Sequence, residues 1–254
     1  MTPIHIATQI PRLDARPVAH RVGLVALATD HTSELDYARI LCPAGIGVYV
    51  NRIPFANPVV PETLMAMEGD LASGAALILP GEDLDAIIYG CTSASVCIGD
   101  ATVQAQVAKG KPGCPVVTPI SGTLAGLRAM GARRISVLTP YTVETSRPMA
   151  AMFEGEGIVI DRFTCLNMTD DRDMARIAQD DLVDLATSAA AAGSDALFIS
   201  CTAVRAASII DRIEAAAGLP ALSSNYAAAW QVARIVGVTG ALAPGHLMTL
   251  TGTA

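Results

Sequence analysis

Apolar runs and amphipathic segments alternate along this chain from about residue 22 to residue 235. Short continuous Val/Ile/Leu-rich runs mark strands, and stretches with helical spacing of apolar positions mark the helices between them. The runs place strands at Val22–Ala28, Ile46–Asn51, Ala86–Tyr89, Val116–Val117, Ile135–Leu138, Val159–Cys165, Ala196–Ile199 and Ala221–Leu222. Helices are predicted over Pro61–Leu79, Ser93–Ala108, Thr123–Met130, Val143–Glu154, Gln179–Ala191, Val204–Ala216 and Tyr226–Ile235, with another beginning near Ser33. Gly131, Gly157, Gly193 and Gly218 stand where a helix would stop before the next strand. Strands that read as unbroken apolar runs and alternate with helices belong to parallel sheets covered by helices. The first 20 residues and the tail beyond Gly240 show neither pattern and read as arms.

A faint internal repeat organises these elements. Val22-Gly-Leu-Val-Ala-Leu27 resembles Ile135-Ser-Val-Leu-Thr139, 113 residues later, and Tyr89-Gly-Cys-Thr-Ser93 resembles Ile199-Ser-Cys-Thr-Ala203, 110 residues later. Pro115-Val-Val-Thr-Pro119 resembles Pro220-Ala-Leu-Ser-Ser224 at an offset of 105. Three landmarks in one order predict an α/β fold of two similar lobes, each a mainly parallel sheet flanked by helices, related by a pseudo-two-fold axis. The first lobe would take residues 21–118 plus 224–254 and the second 119–223, with 1–20 as an N-terminal arm and the active site between the lobes.

Composition narrows the function classes. The chain is 52% apolar and 16% charged, yet Asp181, Asp184 and Asp195 interrupt the Ala-rich region, and no apolar segment reaches the ~18 residues that suggest a membrane span. Pro3, Pro11, Asp14 and Pro17 break any signal-peptide core, so a cytoplasmic protein is expected. The formal charge of −7, with no basic run beyond Arg133-Arg134, argues against nucleic-acid binding. A small anion could still be held by a local nest of amides. The six cysteines lie in a long chain without a dense framework, which suits free thiols in a reducing compartment. No CxxC pair occurs and none of the four histidines has HxxxH spacing, so no metal is expected.

Two of the cysteines share a context. Leu84-Asp-Ala-Ile-Ile-Tyr-Gly-Cys91-Thr92-Ser93 and Ser194-Asp-Ala-Leu-Phe-Ile-Ser-Cys201-Thr202 each read as strand, Cys-Thr, helix. Ligands bind at the carboxyl ends of strands in open α/β sheets. A helix N-terminus there would favour thiolate over thiol. Across a pseudo-two-fold, Cys91 and Cys201 would face one cleft from opposite sides. One thiolate could then remove a proton from a carbon α to a carboxylate while the other thiol protonates the opposite face, with donors stabilising the enediolate. Small hydroxyl residues and exposed backbone amides collect at the other strand ends: Thr29 with Asp30, His31 and Thr32; Thr118 and Ser121; Thr139 with Tyr141 and Thr142; Ser223 with Ser224 and Asn225. These are also the residues that cap helices, so Thr92, Ser93 and Thr202 could serve either purpose, and Asp30 could cap the helix near Ser33. Cys42, Cys97, Cys114 and Cys165 read as small buried hydrophobes; His5, His20 and His246 read as surface or arm residues.

The Gly90-Cys91-Thr92-Ser93 and Ser200-Cys201-Thr202 motifs, with Val137-Leu-Thr-Pro-Tyr141, make the chain resemble the aspartate/glutamate racemase superfamily, in its maleate isomerase and arylmalonate decarboxylase branch. Leu27-Ala-Thr-Asp-His-Thr-Ser-Glu34, Asp171-Arg-Asp-Met-Ala-Arg176 and Cys201-Thr-Ala-Val-Arg-Ala-Ala207 resemble the ectoine-utilisation protein A group. The resemblance implies no cofactor, a homodimer, a small carboxylate substrate, and Cys91 and Cys201 as the catalytic pair. It implies substrate contacts from Thr92, Ser93, Thr202 and Tyr141; Thr29, Asp30 and Thr118 are added from the strand ends. One departure stands out: maleate isomerases carry an asparagine where this chain has Asp30, which would repel a second substrate carboxylate but could pair with an amine or amidine. Decarboxylases of the branch keep only the second cysteine, so Cys91 argues against that chemistry.

Three functions follow. Racemisation or epimerisation of an amino-acid-like carboxylate, in ectoine or hydroxyectoine breakdown, is favoured. Maleate-type cis–trans isomerisation with Cys91 as nucleophile is the second, and a small-acid binding protein without turnover is the third.

Overall fold

The computed structural model describes residues 1–251. In the first sheet β1 (His20–Leu27) is flanked by β2 (Ile46–Ile53) and β3 (Ala86–Tyr89), and β3 pairs with β4 (Val116–Val117), all parallel. In the second sheet β5 (Arg134–Thr139) is flanked by β6 (Val159–Cys165) and β7 (Ala196–Ile199), and β7 pairs with β8 (Ala221–Ser223), again all parallel. The strand orders β2-β1-β3-β4 and β6-β5-β7-β8 are the same order written twice. Duplication extends to single bonds. The Asp85 carboxylate accepts the Arg21 N–H at 2.7 Å, and 110 residues later the Asp195 carboxylate accepts those of Arg133 and Arg134 at 2.8 Å.

The apolar runs end up where their pattern requires. β3, β7 and β8 are buried throughout, and β1 and β5 are buried except at their first residue, because helices cover both faces. The outer strands β2 and β6 are mixed. Helices α1 (Ser33–Leu41), α2 (Pro61–Met65), α3 (Leu71–Ala76), α4 (Thr92–Ile98), α5 (Asp100–Gly110) and α6 (Pro119–Met130) come first. Then follow α7 (Val143–Gly155), α8 (Asp171–Met174), α9 (Gln179–Ala189), α10 (Ile210–Ala217), α11 (Ser224–Ile235) and α12 (His246–Thr249).

Three expected helices take another form. The span 61–79 is α2 and α3 joined by a 3-10 turn, Ala66–Asp70. The span 93–108 is α4 and α5, broken at Gly99, whose φ of +98° takes it out of helical geometry. The helix expected from Val204 begins only at Ile210, after a 3-10 turn at Ala207–Ile209. The tail is not an arm: Leu247 and Met248 of α12 are fully buried. Residues 1–19 have no regular structure, and Arg16 ties them to Asp85 at 3.0 Å.

Helices α6 and α11, each following the fourth strand of a sheet, cross where the two lobes join. A Cβ on Gly122 would lie 2.8 Å from the Ala228 backbone, so only glycine allows the crossing. Polar bonds accompany it: Ser121 hydroxyl to Gln231 at 3.0 Å, and Thr92 hydroxyl to Ser224 at 2.8 Å.

Candidate active site

Each sheet leaves its first strand outward to the second and then returns to the other side for the third. The crevice beyond the carboxyl ends of β1 and β3, and that beyond β5 and β7, are therefore topological switch points, where α/β sheets bind ligands. Residues after these four strands line one narrow cavity. Asp30 comes from β1, Cys91 and Ser93 from β3, Tyr141 from β5, and Cys201, Thr202 and Ala203 from β7. Leu27, Phe55, Val59 and Leu64 supply apolar wall, and Asp171 enters from the start of α8.

Cys91 is the N-cap residue of α4. The Gly90 N–H continues the sheet by donating to the Val25 carbonyl at 2.8 Å, and the Cys91 carbonyl accepts the Ser95 amide at 3.2 Å and its hydroxyl at 2.6 Å. The thiol sulfur lies 3.7 Å from the Ser93 hydroxyl. Cys201 begins alike, with the Ser200 N–H on the Leu138 carbonyl at 2.8 Å. It then departs from expectation: φ is +91°, a region that costs an L-residue about 1–3 kcal/mol, and no helix begins there. Three bonds hold this segment. The Thr202 hydroxyl donates to the Gly90 carbonyl (3.1 Å), the Thr32 hydroxyl to the Ala203 carbonyl (2.7 Å), and the Asn225 amide to the Thr202 carbonyl (2.9 Å). The conformation turns the Ala203 N–H onto the Cys201 sulfur at 3.4 Å.

Both thiols are buried, and burial decides their acidity. Desolvation pushes Cys91 up to about 12, against the Ala94 amide and Ser93 hydroxyl that favour its thiolate. It pushes Cys201 up to about 11, against the Tyr141 hydroxyl and the amides of Ala203 and Val204, while the Asp171 charge adds to the rise. The helix-terminus argument for thiolates near neutrality is thereby corrected at both positions. Cys91 has its helix, but α4 is short and the cavity wall is apolar; Cys201 has none.

The remaining expected residues divide. Ser93 and Tyr141 present hydroxyls to the cavity, that of Tyr141 lying against Cys201 and Ser93. Asp30 does two things at once: Oδ1 accepts the amides of Thr32 (2.7 Å) and Ser33 (2.9 Å) at the head of α1, while Oδ2 is buried without a partner. Thr202 lines the cavity but its hydroxyl is spent on Gly90. Thr92 bonds Ser224 and does not line it. Thr118 is the N-cap of α6, accepting the Ser121 amide at 3.0 Å and donating to Asp100, outside the cavity. Thr29 is half-buried behind the wall, its hydroxyl on Asp171. His31 is exposed, as is Cys42, which corrects the small-hydrophobe reading there; Cys97, Cys114 and Cys165 are half-buried, and Cys97 and Cys114 do pack against the core. Sequence reasoning missed Asp171 as a site residue. Its segment, Asp171–Arg176, entered only through the resemblance to the ectoine-utilisation group, with no role given to the carboxylate; it is 6% exposed and accepts the Asn57 amide at 2.7 Å. Among the described residues no group of three or more His, Cys, Asp or Glu side chains is placed to hold a metal ion, and no helix is long and apolar enough to cross a membrane.

Comparison with known proteins agrees with this architecture. The arylmalonate decarboxylase of Bordetella bronchiseptica is 33% identical over 136 residues, 53% of this chain and 57% of that enzyme, so the match spans little more than half its length. The maleate isomerase of Nocardia farcinica is 26% identical over 225 residues, 84% of this chain and 89% of the relative. A solved structure of the Nocardia farcinica maleate cis–trans isomerase superposes with a TM-score of 0.81 at 25% identity, covering 90% of this chain and 97% of that one. The family model described as arylmalonate decarboxylase matches residues 70–248, from the 3-10 turn before α3 through both cysteines to α12. With that match over most of its length, and with the same two-lobed fold, the chain belongs to the arylmalonate decarboxylase family.

Proposed function

We propose that this protein is a cofactor-independent isomerase that exchanges the proton on a carbon α to a small carboxylate, with Cys91 and Cys201 acting from opposite sides. The observation that carries the reading is the meeting of two buried thiols, from equivalent strand ends of two lobes, in one cavity. Cys201 is the base of the pair, because the Ala203 and Val204 amides and the Tyr141 hydroxyl converge on its sulfur and its thiol is pushed up less than that of Cys91, to about 11 against about 12. Its thiolate takes the α-proton, and the C–H electron pair passes into the carboxylate as an enediolate. Cys91 delivers its proton to the opposite face and is left as thiolate, ready for the reverse exchange. Ser93 and Tyr141 are the side-chain donors placed to meet the developing charge.

Two of the segments that resemble the ectoine-utilisation group bring Asp30 and Asp171 to the cavity and the third brings Cys201 to Ala203, which supports the narrower assignment to ectoine or hydroxyectoine breakdown. The second reading, maleate-type isomerisation with Cys91 adding to the double bond, is favoured by the maleate isomerase similar over 84% of this chain. Solvent deuterium separates the two. Proton exchange washes deuterium into the α-carbon of the acid, whereas addition, rotation and elimination need not. Cys91→Ser and Cys201→Ser are each expected to abolish turnover with folding retained, and full activity in either would overturn the two-thiol mechanism.

A further inference from the structure

The wall of the cavity carries two carboxylates and no Lys, Arg or His. Asp30 and Asp171 are each 6% exposed. They come from different lobes, one after β1 and the other at the start of α8, and they are not paired with cations. The positive groups nearest Asp30 are otherwise engaged: Arg52 lies outside the wall, bound to Glu34 at 2.7 Å and to the carbonyls of Leu27, Ala28 and Asp30. Asp171 is held in place by neutral donors, the Asn57 amide and the Thr29 hydroxyl. The Asp30 Oδ2 is buried without a hydrogen-bond partner among the described residues; burial pushes its carboxyl up, and the Ser33 hydroxyl, itself unpartnered, is the neutral group that most favours the carboxylate. A buried carboxylate oxygen in that state costs stability unless something completes it, and the Asp171 charge adds to the burial that makes Cys201 harder to ionise.

We infer that Asp30 and Asp171 form a subsite for a cation, so that the substrate is a zwitterion: a small carboxylate bearing an ammonium or amidinium group next to the reacting carbon. The inference rests on the proposed isomerase reading and narrows its substrate class. A cation between the two aspartates supplies the missing partner of Asp30 and offsets the charge that opposes the Cys201 thiolate. Attached to the reacting carbon, it also stabilises the electron pair left when the α-proton departs. A dianion such as maleate gains none of this and meets two carboxylates. Sequence comparison pointed to Asp30 alone; Asp171 makes the subsite two-sided and places its second half on the opposite lobe.

Methanethiosulfonates that differ only in charge test this without requiring the substrate. The 2-ammonioethyl and 2-sulfonatoethyl reagents are applied to the full chain, and modification of Cys201 and Cys91 is followed by peptide mass spectrometry, normalised to the exposed Cys42. The cationic reagent is expected to modify the cavity thiols at least tenfold faster than the anionic one. Asp171→Asn, which keeps the shape and an acceptor for Asn57, is expected to cut that ratio at least threefold, and so is Asp30→Asn. Equal rates, a faster anionic reagent, a ratio unchanged in both variants, or no modification by either reagent would each overturn the subsite. Deuterium exchange is then compared for 2-aminobutanoate and 2-hydroxybutanoate, which differ in the cation alone. Charge-selective labelling without exchange in any acid fails the isomerase reading and leaves the subsite intact; exchange of the hydroxy acid as fast as the amino acid fails the subsite and leaves the isomerase intact.

Discussion

Single residues in this protein are governed by burial more than by position along an element. Asp36 illustrates this outside the catalytic pair. Its carboxylate is 3% exposed, accepts the Asn225 amide at 3.0 Å and has Arg39 at 3.6 Å, yet desolvation carries it from 3.8 up to about 6. Of the other charges it senses, Asp30 raises it further and Arg205 lowers it. A raised folded-state value means that the folded protein holds the proton longer than the unfolded chain does. The stabilising contribution is therefore whole below about pH 4 and is lost as pH rises through about 6. Asp36→Asn removes that loss while keeping an oxygen for Asn225. The variant is expected to be more stable than wild type at pH 7–8 by up to about 3 kcal/mol, with the gap closing towards pH 4. Urea midpoints between pH 4 and pH 8 read this directly, and a variant less stable than wild type at pH 7 would refute it. Residue identity alone showed the two thiols, because a duplicated Cys-Thr is visible in the chain. It could not show Asp171, whose meaning lies in contacts with Thr29 and Asn57, 142 and 114 positions away.

At the scale of elements, the strands were legible almost residue by residue, since buried parallel strands are continuous apolar runs with no second interpretation of similar length. Helices were legible in position but not in continuity. Gly99 and the 3-10 turn at Ala66–Asp70 interrupt patterns whose apolar spacing carries on regardless. The largest departure, the stretch from Cys201 to Ala206, has helix-compatible residues held out of helix by bonds from elsewhere. Asn225, at the start of α11, is central to this: one amide donates to both the Thr202 carbonyl and Asp36, and its oxygen takes the Tyr37 hydroxyl at 3.3 Å. Asn225→Ala leaves these buried groups unpaired, at about 1–3 kcal/mol for each. Because Asn225 does not line the cavity, its role is to position Cys201. The expected result is at least a tenfold lower kcat with KM changed less than threefold, together with a lower melting temperature. An unaltered kcat in a destabilised variant would mean that the bond only stabilises the fold.

The whole molecule depends on keeping two copies of one sheet at a fixed separation, because the cavity is assembled from four strand ends, two from each. The sequence repeat foretold that arrangement, but the device that sets the spacing is visible only in three dimensions. It is the crossing of α6 and α11 at Gly122, where an added Cβ would meet the Cα and N of Ala228 at 2.8 Å, backbone atoms that have no rotamer to move aside. The two glycines of α6 provide an internal comparison, since at Gly126 the nearest atom is a Leu247 side-chain methyl at 3.2 Å, which can give way. In a helix interior, alanine is favoured over glycine by about 1 kcal/mol, so propensity alone predicts that both substitutions stabilise. Overpacking of a close crossing costs about 1–3 kcal/mol and displaces backbone. Gly122→Ala is therefore expected to lower stability by up to about 2 kcal/mol net, while Gly126→Ala stays within about 1 kcal/mol of wild type. If the crossing sets the distance between the thiols, Gly122→Ala also lowers kcat more than Asn225→Ala does, although its site lies outside the cavity. Urea denaturation and steady-state kinetics on the pair of variants decide the matter, and a Gly122→Ala protein as stable as wild type would show that the lobes have room to spare.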